Sequence, residues 1–195
     1  MLNKKSNRLS GLVSSGRISR FFIVAIMMTS SVAWAINPFA KTEIRNVGTF
    51  NQIVVGGLVN VQIKQGEQAG IEVSAFGIDM HDISTTVENG TLTVTTIGHH
   101  RGESISIDVT YKSLTSVRTS GAATIETDGP INAESFSVAI SGAGDADLEL
   151  NVGELNVEMR DNGNLTLDGR VKVQNFKSYG GGGRLDNSDL QIGQQ

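Results

Sequence analysis

The chain has 195 residues, with sixteen Lys and Arg against twenty Asp and Glu, twenty-three glycines, two prolines and no cysteine. The lack of cysteine excludes disulfides, thiolate chemistry and a lipid-modified cysteine anchor. Five of the bases (Lys4, Lys5, Arg8, Arg17 and Arg20) stand in the first twenty positions. The rest therefore carries eleven bases against twenty acids, a net charge of −9 that argues against nucleic acid and anionic membranes as partners.

Residues 1–35 have the three parts of a secretory signal. A basic n-region without acids precedes the apolar run Phe21 to Ala33, and Ala33-Trp34-Ala35 supplies the small-x-small cleavage pattern. The run is shorter than the ~20 residues a spanning helix needs. Cleavage after Ala35 is therefore expected, with the mature chain starting at Ile36 in the periplasm or at the cell surface and no membrane span remaining. A short tether, 36–46, leads into one domain, 47–192.

Within that domain the apolar residues keep a period of two. Ile53 to Val55, Leu58 to Ile63, Ile71 to Val73, Leu92 to Val94 and Ile105 to Val109 each predict a strand with one buried face. Gly56-Gly57 and Asn89-Gly90 mark turns, the second with hairpin chemistry. The first half thus reads as ordinary strands and hairpins.

The second half repeats. Leu114 to Ala122, ending in Ser120-Gly121-Ala122, is echoed twenty-one residues later by Ser135 to Ala143, ending in Ser141-Gly142-Ala143. Leu155 to Met159 follows Phe136 to Ile140 after nineteen residues and leads into Asp161-Asn162-Gly163. A fourth copy runs from Phe176 through Gly180 to Gly183 and on to Leu185. Twenty residues at ~3.3 Å each allow a perimeter of roughly 66 Å, enough for one flattened turn of a solenoid. The predicted fold class is all-β: a right-handed parallel β-helix of about 20-residue coils, preceded by strands and hairpins.

Phe50 to Val55, Val59 to Gly66, Val87 to Val94 and the recurring Ser-Gly-Ala turns resemble, in that order, the putative auto-transporter adhesin head GIN domain, also called DUF2807. The resemblance covers roughly Val47 to Leu190. It implies a secreted or envelope-associated β-helical domain and brings no catalytic residues. The third and fourth repeats depart from the pattern at Asp161-Asn162-Gly163 and Gly180 to Gly183. They leave a closed C-terminal cap in doubt, and an uncovered last coil would invite self-association.

No candidate site carries a reaction. His99-His100-Arg101-Gly102-Glu103 reads as a solvated loop tip, since adjacent strand residues point to opposite faces, and His81 stands alone. Ser120 and Ser141 recur with the repeat, as structural corner residues do, and no histidine lies near them in sequence. Asp145, Asp147 and Glu149 line one face of a strand, with Asp161 and Asp168 one coil away, and are the weak calcium candidates. A solvated outer face is the expectation, so no metal and no cofactor is assigned. Gly180 to Gly183 fits neither a calcium nonapeptide nor a phosphate loop, because the acid falls out of register and no Lys or helix follows. The sequence therefore points to an exported, non-enzymatic domain that binds a protein or glycan or assembles with its own kind. A carbohydrate-active enzyme and a structural periplasmic scaffold are the alternatives.

Overall fold

Alternating burial pleats the described residues into thirteen strands: β1 (Lys41–Arg45), β2 (Gln52–Val55), β3 (Asn60–Gln65), β4 (Gly70–Phe76), β5 (Ile83–Glu88), β6 (Thr91–Thr96), β7 (Ser104–Tyr111), β8 (Ser116–Thr119), β9 (Thr124–Asp128), β10 (Ile131–Ile140), β11 (Asp145–Met159), β12 (Asn164–Ser178) and β13 (Leu185–Ile192). The computed structural model describes residues 40–98 and 103–193. All thirteen strands belong to one curled, mixed sheet. The segment read as a tether contributes β1, which pairs antiparallel with β4.

The sheet bends into three ladders. The first runs β5, β6, β2, β8 and then the C-terminal halves of β10, β11 and β12. The second runs β1, β4, β7, β3, β9 and then the starts of β11, β12 and β13. Between them, residues 131–135, 150–154 and 169–173 and the end of β13 make a third, short ladder. Val138 faces Val157 nineteen residues on, and Asp145 faces Asn164 at the same interval. Every described pairing is parallel except β1 with β4, β4 with β7 and β5 with β6. These three antiparallel pairs close the head of the stack and make the sheet mixed where the sequence suggested a parallel helix.

The first half is also more deeply joined to the stack than hairpins alone would allow. Ile53 lies opposite Val117, and Val61 lies opposite Ile125. Asn89 and Gly90, both at positive φ, form the β5–β6 hairpin. Gly56-Gly57 instead makes a corner between two strands that do not pair with each other.

The core consists of columns of like side chains, one from each tier. Ile53, Val117, Val138 and Val157 form one column and Val61, Ile125, Ala146 and Leu165 another, all of them buried. Phe136 is completely enclosed, and burying such a side chain contributes about 1.5–3 kcal/mol. At the head, Arg45 spans the gap between ladders by donating to the carbonyls of Ile83 (2.6 Å) and Met80 (2.9 Å).

Candidate functional site

The corners show what the repeated serines and glycines do. Gly57, Gly121, Gly142, Asp161 and Gly181 all adopt positive φ and stand in one column. Ala122 donates its amide to Gly57 (2.9 Å), Ala143 to Gly121 (2.7 Å), Asn162 to Gly142 (2.9 Å) and Gly183 to Asp161 (3.2 Å). Asp161 fills a glycine's place because Asp tolerates the left-handed region, and its carboxylate accepts the amide of Gly142 at 3.1 Å. Thus Asp161-Asn162-Gly163 and the Gly180 to Gly183 run are equivalents of the Ser-Gly-Ala corners. Ser141 Oγ donates to the carbonyl of Thr119 (2.8 Å) and Ser120 Oγ to that of Val55 (3.4 Å), so both hydroxyls are spent on the backbone of the tier beneath.

Asp145, Asp147 and Glu149 are exposed on the outer side of the second ladder, with Asp168 opposite Glu149 on the next strand. Asp145 accepts from Asn164 Nδ2 at 2.8 Å. Asp161 lies at the corner rather than in this row. Among the described residues no group of three or more His, Asp or Glu is arranged to hold a metal ion. His81 is exposed and bonded through Nδ1 to Asp79 (2.9 Å), and its hydrogen bonds hold the Asp79 carboxyl below the usual range. His99, His100, Arg101 and Gly102 lie outside the described residues, and Glu103 opens β7's approach with one buried carboxylate oxygen unpartnered.

The outer side of the third ladder is concave, a feature the sequence did not announce. Three depressions of about 350, 420 and 750 Å³ adjoin there, the first two sharing Asn151 and Arg170 and the last two sharing Gly153 and Lys172. Gly153 is required in the floor, because a Cβ there would strike the carbonyl of Glu134. The central amides are fixed before any ligand arrives. Asn151 Nδ2 donates to Asn132 Oδ1 (2.9 Å), and Asn132 Nδ2 donates to the carbonyl of Pro130 (3.0 Å). Neither Arg170 nor Lys172 forms an ion pair among the described residues. At ~3.3 Å per residue the five-residue width of this ladder gives a trough roughly 16 Å long. Carboxylates of Glu149, Asp168 and Asp189 border one end, and Glu134 and Glu154 line the other beside the exposed side chain of Val173. One clue to the trough lies in the sequence: Asn132 and Asn151 are nineteen residues apart, in step with the repeat.

The model of the family described as putative auto-transporter adhesin, head GIN domain, matches residues 49–194. The chain belongs to this family. Among solved structures, a putative adhesin from Bacteroides fragilis superposes with a TM-score of 0.71 at 19% identity, covering 78% of this chain and 72% of that one. Two proteins from Parabacteroides distasonis superpose at 0.63: a putative lipid binding protein (17% identity, 80% and 76% covered) and a putative adhesin (15% identity, 78% and 76% covered). At these identities they establish the fold of the GIN domain and nothing finer. No curated protein matches the chain. No helix among the described residues is long and apolar enough to cross a membrane.

Proposed function

We propose that this GIN domain is an exported, non-enzymatic binding head, a right-handed parallel β-helix whose third face holds a hydroxyl-rich polysaccharide segment in the trough between Pro130 and Val173. Export follows from the leader, with cleavage after Ala35 releasing the chain to the periplasm or cell surface. The observation that carries the reading is the continuous trough with its amides already bonded in place. Amide and guanidinium groups can hydrogen-bond in pairs to neighbouring hydroxyls, and the exposed Val173 side chain suits the C–H face of a sugar ring. Fixing Asn132 and Asn151 beforehand lowers the ordering cost of binding. The class is a neutral glycan, because a polyanion would meet Glu149, Asp168 and Asp189 at one end. The last tier adds a capacity for self-association.

The test uses the full chain, expressed with its own leader and recovered from the periplasm, on an array of neutral oligosaccharides followed by calorimetry on the sugars retained. Arg170→Ala and Asn151→Ala are each expected to weaken binding about tenfold, or about 1.4 kcal/mol. Arg118→Ala, on the first ladder, leaves it unchanged. Retention of protein partners but no sugar, or equal binding by all three variants, overturns the glycan assignment.

A further inference from the structure

The two ends of the stack are finished differently. At the head, β1 presents Lys41, Glu43 and Arg45 on the side that faces the core of β4, and inward charges of this kind blunt an edge against pairing. At the tail, the core columns run out into solvent. Val117, Val138 and Val157 are at most 3% exposed, but Phe176, next in that column, is 48% exposed. Val152 and Val171 are buried, whereas Ile192, which follows them, is 46% exposed. These are large apolar side chains in places where a finished end carries polar ones.

Two strand edges are free at the same end. β13 covers β12 only as far as Val171, so among the described residues nothing pairs with the outer edge of 174–178 or with that of β13. The two edges have opposite charge. The free edge 174–178 carries Lys177 and no acid, while β13 carries Asp186 and Asp189 and no base, with Asp186 already paired to Arg184 at 3.0 Å just before the strand. Pairing β13 with itself would set acid against acid.

We infer that the tail is the docking surface for a second copy of this chain, joined tail to tail about a two-fold axis so that the basic end of β12 in each copy pairs antiparallel with the acidic β13 of the other. The arrangement satisfies both free edges, covers Phe176 and Ile192 of both copies, and places Lys177 near the partner's acidic strand twice over. It closes at two, because an isologous contact uses up both surfaces. The inference rests on the self-association half of the proposed function and is independent of sugar binding.

The experiment is light scattering coupled to size-exclusion chromatography on the exported chain across a concentration series, with circular dichroism to confirm folding. The expected mass is twice that of the monomer. Phe176→Glu is expected to shift it to monomer, as is Lys177→Glu. Adding Asp189→Lys to Lys177→Glu restores the dimer. A monomer at all concentrations overturns both the interface and self-association. A dimer indifferent to all these substitutions, or an open ladder of oligomers, overturns this interface while self-association stands.

Discussion

Gly142 lies directly on Gly121, with Gly142 at φ +91° and the next amide, that of Ala143, bonded to the Gly121 carbonyl at 2.7 Å. A Cβ on Gly142 would collide with that carbonyl, and the left-handed backbone is itself unfavourable for alanine. Gly142→Ala is therefore expected to lose about 1–2 kcal/mol to backbone conformation and about 1–3 kcal/mol more to overpacking. Gly129, at φ +90° with open space around it, isolates the first contribution, so Gly129→Ala is expected to lose only about 1–2 kcal/mol. Urea unfolding of the two variants checks the difference, and equal losses would refute the stacked-corner account.

Side chains in the columns should be far more costly to truncate than those at the corners. Phe136→Ala removes a completely enclosed ring and is expected to destabilise by about 3–5 kcal/mol. Leu58→Ala, at an exposed corner, is expected to stay within about 0.5 kcal/mol of the parent. Thermal unfolding followed by circular dichroism separates the two outcomes.

The row of Asp145, Asp147 and Glu149 leads to a prediction about calcium. Their side chains emerge at every second residue of one strand, and Asp145 is already engaged by Asn164, so no shell of six to eight oxygens forms around one point. Millimolar calcium is expected to leave the midpoint of thermal unfolding unchanged. A site occupied at a hundred times its dissociation constant would add about 2.7 kcal/mol, which such a measurement detects easily.

How much of this was legible in the sequence depended on whether a feature is local. Alternation along Ile105 to Val109 and hairpin chemistry at Asn89-Gly90 are local, and both elements are present. The corners announced themselves because positive φ selects glycine. The bend at Gly153 did not, since the backbone stays extended through it and β11 runs unbroken from Asp145 to Met159. The parallel contact of β2 with β8 joins residues sixty-four apart, and neither strand's composition records its neighbour. Beyond the nineteen-residue spacing of Asn132 and Asn151, the trough left no trace in the sequence for the same reason: its amides and cations come from separate strands brought side by side only by the register of the third ladder.

Alkaline pH should expose one buried group. Tyr111 is enclosed by the core, and burial pushes its phenol from an ordinary value of 10.0 up to about 12. In the unfolded chain the phenol ionises near 10, so between about pH 10 and 12 the unfolded state holds fewer protons than the folded one. Stability therefore falls as pH rises through that window, by about 2–3 kcal/mol in full. Below pH 10 both states keep the proton and the group has no pH-dependent effect. Tyr111→Phe keeps the ring and removes the titration, so its urea midpoint is expected to fall less steeply than the parent's from pH 10 to 12. Parallel loss in parent and variant would show that the alkaline transition has another origin.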